Sequence, residues 1–210
     1  MQRRTALSLI GFCVGLGLLV LQFSLTIPAR MGTGASAFAS IVFYFSFFTI
    51  LTNIGVTMTY LASLTHWAWL GWFRHHQTRT MFAALICIVM LVYHFVLAGI
   101  WQPAGLFKLA DIGLHYVAPL LYLVWWALLR RSEPLKLSQI SFMMVPALIY
   151  IFYVFVRGAV TGLYPYPFID AGMLGYAATM INTVGLLVAT IAIMALFIGI
   201  DRLLLKFFKK

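Results

Sequence analysis

Charge is scarce in this chain. Only 9% of its 210 residues are Asp, Glu, Lys or Arg, against roughly 25% in a soluble domain. Acidic residues are the scarcest, four against fourteen Lys and Arg. So little charge excludes a soluble globular enzyme, which needs polar surface, and an intrinsically disordered protein, which needs low hydrophobicity. There are two cysteines, Cys13 and Cys87, both inside apolar runs. They read as space-filling residues and exclude a secreted disulfide scaffold. Alternating apolar and polar stretches of the outer-membrane barrel type are missing. Nothing in the pattern calls for a cofactor, a metal ion or nucleic acid.

What the chain does have is apolar length. Hydrophobic residues make up 64% and the mean hydropathy is +1.03. Runs this long satisfy their backbone groups inside lipid only as helices. The expected fold class is therefore all-α, a polytopic membrane protein forming one domain over residues 1–210. Six spans are expected, over Thr5–Ile27, Ala37–Leu64, Thr80–Trp101, Ile112–Leu129, Ile140–Thr161 and Ala171–Ile200. The connections carry breakers, charge or interfacial aromatics, as in Gln102-Pro103-Ala104-Gly105 and Tyr164-Pro165-Tyr166-Pro167. The apolar core of the first span is too long for a signal peptide and is expected to stay as a helix.

The net charge of +10 has a topological meaning. With six spans, one side collects Arg3, Arg4, Arg74, Arg79, Arg130, Arg131, Lys136, Arg202, Lys206, Lys209 and Lys210. The other collects Arg30, Lys108 and Arg157. This asymmetry predicts both termini in the cytoplasm. Trp67, Trp69 and Trp72 then mark the inner interface and Trp101 the outer.

Polar residues inside such spans are the informative ones. Thr49, Asn53 and Thr57 are spaced four apart, on one face of the second span, and Asp111 and His115 share a face at the start of the fourth. The third span carries His94, the fifth Arg157, and the sixth follows Asp170 and contains Asn182. At 1.5 Å per residue His115 is expected within about 10 Å of the outer interface, and Thr49 about 6 to 18 Å from it. A threonine hydroxyl beside an imidazole is a nucleophile beside its base. Asp111 is placed to hold the ring in one tautomer, and Asn53 or Asn182 to donate to an oxyanion. Blander readings stand beside this one. Thr and Asn glue membrane helices together, Asp111 pairs with Lys108, and Arg157 reaches up to headgroups. The segment Tyr164 to Phe168 reads as an aromatic belt first and a substrate lid second, with Tyr164, Tyr166 and Asp170 at its face. His75 and His76 read as solvated. A non-enzymatic transporter or lipid-binding protein using His94, Asp111, His115 and Arg157, or a haem carrier using His94 and His115, also fits the spacing.

Three segments carry a resemblance. They are Phe47-Phe48-Thr49-Ile50, then Gly113-Leu114-His115 with Val117-Ala118-Pro119, then Gly162-Leu163-Tyr164-Pro165-Tyr166-Pro167-Phe168-Ile169-Asp170. In this order and spacing they resemble the androgen-induced protein family and its bacterial relatives. Those are six-pass membrane hydrolases of fatty acid esters of hydroxy fatty acids. The resemblance implies Thr49 as nucleophile, His115 as base, a lipid-ester substrate drawn from membrane lipids, and a bacterial inner-membrane location. Asp111 stands where animal members carry Asn, and Tyr164 where they carry Trp.

Overall fold

The computed structural model describes residues 2–129 and 133–208. Arg130, Arg131, Lys209 and Lys210 of the charge pattern, and the side chain of Arg3, lie outside the described residues. Among the described residues every regular element is helical. The main helices are α1 (Gln2–Gly32), α2 (Ala37–Tyr44), α3 (Phe48–Leu64), α4 (His76–Val92), α5 (Gly105–Ala127), α6 (Val145–Thr161) and α7 (Ala171–Phe208). Five stretches are long and apolar enough to cross a membrane, and a sixth results if α2 and α3 count as one bent span. Such a set of helices is consistent with an integral multi-pass membrane protein.

The spans differ from the sequence expectation in where they start and stop. Ala37–Leu64 is not one rod, because α2 and α3 meet at 72°. No Gly or Pro marks the break. It is made by tertiary partners. Ser46 is fully buried, and its hydroxyl bonds the Val42 carbonyl (2.6 Å) and the Tyr153 hydroxyl (2.9 Å). Tyr150 donates to the Ser46 carbonyl (3.0 Å), and Tyr44 donates to Leu19 of α1 (2.8 Å). Phe47 is extended, and α3 starts afresh at Phe48. The third span begins earlier and ends earlier than expected, covering His76–Leu97 and closing with a π-helical turn at Tyr93–Leu97. His76 is not a solvated loop residue. Its Nε2 lies 2.9 Å from Oδ1 of the fully buried Asp201 on α7. The fourth span starts at Gly105, so His115 lies about 15 Å from the helix start at 1.5 Å per residue. The last helix continues past Ile200 and is kinked at Gly175, whose φ is +74°.

Inside lipid the association of helices relies on close packing and small residues rather than on escape from water. The interfaces follow that rule. α1 packs along α3, with Gly11 against the Tyr60 ring and Gly15 against the Thr57 hydroxyl. Gly55 of α3 faces the Phe82 ring of α4. The core between these helices holds Tyr60, Met81, Ala83, Ala84, Leu85, Trp125 and Trp126, closed by Met194 and Ile198 of α7.

A β-carbon added at Gly55 would sit 2.0 Å from the Phe82 ring. Gly55→Ala is therefore expected to destabilise the protein by about 1–3 kcal/mol, the range for overpacking a core. A thermal melt in detergent reads this as a lowered Tm. An unchanged Tm would mean that the ring moves aside without penalty.

Candidate active site

The site is built where α3 begins, beside the π-helical turn of α5 and the loop between α6 and α7. The break after Phe47 puts Thr49 in the first turn of α3, buried, with its hydroxyl turned to α5. Opposite it, the Gly113–Val117 stretch of α5 forms a π-helical turn. Such turns change the direction of side chains that follow and are frequent at functional sites. This one presents His115. Thr49 Oγ1 and His115 Nε2 are 3.2 Å apart.

The other ring nitrogen identifies the tautomer. Nδ1 lies 2.9 Å from the Asp111 carbonyl oxygen and 3.1 Å from the Asp111 carboxylate Oδ1. A carbonyl oxygen only accepts, so Nδ1 carries the proton. Nε2 is left with its lone pair toward the threonine hydroxyl, which donates to it. Tyr93 completes the holder. Its ring stacks on the imidazole with centroids 4.0 Å apart and 16° between planes, and its hydroxyl donates to Asp111 Oδ2. Asp111 is 7% exposed and bonds His115 and Tyr93 rather than Lys108.

The remaining candidates fall into different places. Asn53 does not point at the threonine hydroxyl. Its Nδ2 donates to the Thr49 carbonyl (2.8 Å) and the Leu114 carbonyl (3.2 Å). It ties α3 to α5 at the level of Thr49 and His115, and its donors are engaged. Asn182 likewise donates to the Phe168 carbonyl (2.9 Å) and tethers the loop. Neither is an oxyanion donor in this arrangement. His94 faces outward and bonds the Tyr116 hydroxyl (3.0 Å). One residue is about 100° around a helix, so Tyr93 takes the inward position in its stead. His94 and His115 therefore engage different partners. Arg157 donates to Leu163 and closes the end of its own helix. Asp170 accepts from the Gly172 and Met173 amides (2.9 and 3.1 Å) and caps α7. Tyr164 packs on Gly158 and against the cluster of Tyr150, Val154 and Ile169.

Tyr166 is the loop residue that reaches the site. Its hydroxyl is 3.4 Å from Thr49 Oγ1 and accepts from the Thr49 amide at 3.3 Å. Its ring stacks on Phe168 and meets Phe47 edge-on. A narrow, partly open cavity of about 50 Å³ runs from this cluster. Its walls are mainly apolar, with Ile88, Val89 and Val92 of α4, Ala147 and Ile151 of α6, and Leu186 and Leu187 of α7. Thr49, His115, Tyr150, Tyr166 and Thr190 are its polar members. Among the described residues no cluster of His, Cys, Asp and Glu suits a metal ion.

Comparison of the chain with family models, curated proteins and solved structures finds no match.

Tyr93 satisfies a buried carboxylate and clamps the imidazole at once. Tyr93→Phe keeps the stack and removes the donor, which is expected to lower stability by about 1.5–3 kcal/mol, the worth of a hydrogen bond to a charged group. The measurement is the melting temperature in detergent. A Tm equal to that of the wild type would show that Asp111 finds another donor.

Proposed function

We propose that the protein is an intramembrane hydrolase of lipid carboxylic esters, of the type in which a fatty acyl group is esterified to a hydroxy fatty acid. The observation that carries this reading is the Thr49–His115 contact, with the far side of the ring held by Asp111, inside an apolar cavity. The resemblance of the three motifs to the androgen-induced protein family supports it.

The acyl chain lies among the apolar walls and the ester carbonyl beside Thr49. As Oγ1 bonds to the carbonyl carbon, its proton passes to His115 Nε2, and the carbonyl π pair moves onto oxygen. The tetrahedral intermediate collapses. The bond to the leaving alkoxide breaks, and His115 returns its proton to that oxygen, releasing the hydroxy fatty acid. Water then attacks the acyl-threonine with Nε2 again taking the proton. Collapse returns the proton to Thr49 and frees the fatty acid. Through both halves Asp111 stabilises the imidazolium and holds the ring. Of the two threonines in the cavity wall, Thr49 lies beside the imidazole, whereas the Thr190 hydroxyl donates to the Leu186 carbonyl of its own helix, which favours Thr49 as the nucleophile.

Six spans with the bent pair as one, both termini in the cytoplasm and, as for the bacterial relatives, an inner-membrane location complete the proposal. The basic residues favour that orientation. The site then opens toward the outer half of the bilayer.

Two measurements test these statements. A fluorophosphonate with an alkyl chain, which reacts with activated hydroxyls, is expected to label the wild type and not Thr49→Ala. Turnover of a long-chain acyl ester is expected to fall about 10²–10⁴-fold in His115→Ala, the contribution of a positioned base. Equal labelling of Thr49→Ala, or full turnover in His115→Ala, overturns the mechanism. For topology, single cysteines His75→Cys and Gln102→Cys are introduced in a Cys13→Ser, Cys87→Ser background. An impermeant maleimide added to sealed spheroplasts is expected to modify position 102 and not 75. The reverse pattern overturns the orientation.

A further inference from the structure

The proposed reaction places negative charge on the carbonyl oxygen, and the two asparagine side chains expected to receive it are engaged with backbone carbonyls. What stands there instead is a phenol. We infer that Tyr166 is the oxyanion donor of the site, its hydroxyl proton moving from Thr49 Oγ1 to the substrate's carbonyl oxygen as that oxygen becomes charged. This inference rests on the hydrolase reading above.

The geometry accounts for the assignment step by step. Thr49 has one hydroxyl proton, and the bare Nε2 of His115 takes it. The 3.4 Å contact between Tyr166 and Thr49 Oγ1 is then donated by the phenol. When Oγ1 bonds to the carbonyl carbon, the oxyanion forms one bond angle away from Oγ1. The phenol thus already lies where a donor about 2.7–3.1 Å from the oxyanion is needed.

Two features strengthen the donor. The phenol oxygen accepts the Thr49 amide, in the first turn of α3. Unsatisfied amides give a helix start a positive partial charge. Donation into the phenol oxygen polarises its O–H, because hydrogen bonds in series reinforce one another. The ring is also held before substrate arrives. Phe168 stacks on it at 5.2 Å and 13°, Phe47 packs edge-on at 5.7 Å, and Asn182 pins the Phe168 carbonyl. Pro165 and Pro167 flank it and restrict the loop backbone. Burial pushes the Tyr166 phenol above its ordinary value, so it keeps its proton through neutral pH.

The test uses the full chain in detergent, a p-nitrophenyl ester of a long-chain fatty acid, and an alkylboronic acid whose adduct with Thr49 mimics the tetrahedral intermediate. Tyr166→Phe retains the ring and its packing. It is expected to lower kcat about 10²–10³-fold, with KM changed by less than about threefold. Boronate affinity falls in the same proportion as kcat, while loss of the acceptor of the Thr49 amide lowers the Tm by a few degrees. A second variant carries 3-fluorotyrosine at position 166, which keeps the shape and lowers the phenol's pKa. Its kcat is expected to decline at a lower alkaline pH than the wild type. Tyr166→Phe with wild-type kcat and boronate affinity, or an unmoved alkaline limb in the fluorinated protein, overturns the inference. If Thr49→Ala is inactive in those preparations, the hydrolase reading survives that outcome. Wild-type turnover in Thr49→Ala overturns both.

Discussion

A helix broken inside a membrane leaves amides and carbonyls that lipid cannot satisfy. Everything distinctive about this protein follows from how the break between α2 and α3 is satisfied. The Ser46 carbonyl takes the Tyr150 hydroxyl, and the Thr49 amide gives to the Tyr166 hydroxyl. Both tyrosines belong to the part of the chain beyond α5, on α6 and on the loop that follows it. The bend is thus held by residues more than a hundred positions away. It exists only in the folded protein. The same bend lifts Thr49 out of the middle of a rod and sets it at a helix start, turned toward a cavity.

The second half of the site obeys a similar rule. The π-helical turn of α5 brings His115 inward, and Gly113 in that turn lies against Leu18 of α1. Asn53 spans from the Thr49 carbonyl to the Leu114 carbonyl, so Thr49 and His115 are indexed to each other through backbone. Side-chain amides inside a membrane are commonly helix glue. Here the glue sits where it sets the separation of a hydroxyl and an imidazole. Structural and chemical demands fall on the same side chain, and Asn53 meets the structural one.

The broad architecture was legible in the sequence because lipid admits few solutions. Long apolar runs with basic connections read as helices, and all the regular elements described are helical. Thr49, Asp111 and His115 stood out as polar residues in apolar surroundings. Their neighbours did not. Tyr93 hides beside the more conspicuous His94, and tyrosine in a span reads as an interfacial residue. Tyr166 belonged to an aromatic stretch whose first reading is a belt. The helix break was invisible because no Gly or Pro signals it. Arg157, Asp170 and Asn182 attracted attention by polarity, yet each serves the local backbone: one closes a helix end, one caps a helix start, one holds a loop. Polarity inside a span shows that a group has a partner. It does not show whether the partner is substrate or main chain.

The double grip of Asp111 on Nδ1 carries a consequence for robustness. One acceptor is a carboxylate, open to neutralisation by acid and to replacement by mutation. The other is a peptide oxygen, which neither acid nor a change of side chain can remove. The proton on Nδ1 is thus insured by the main chain, and a carboxamide at this position would leave the ring in the same tautomer. What the carboxylate alone contributes is its full negative charge. Orientation and charge, usually inseparable in such a pair, are here underwritten by different atoms of a single residue.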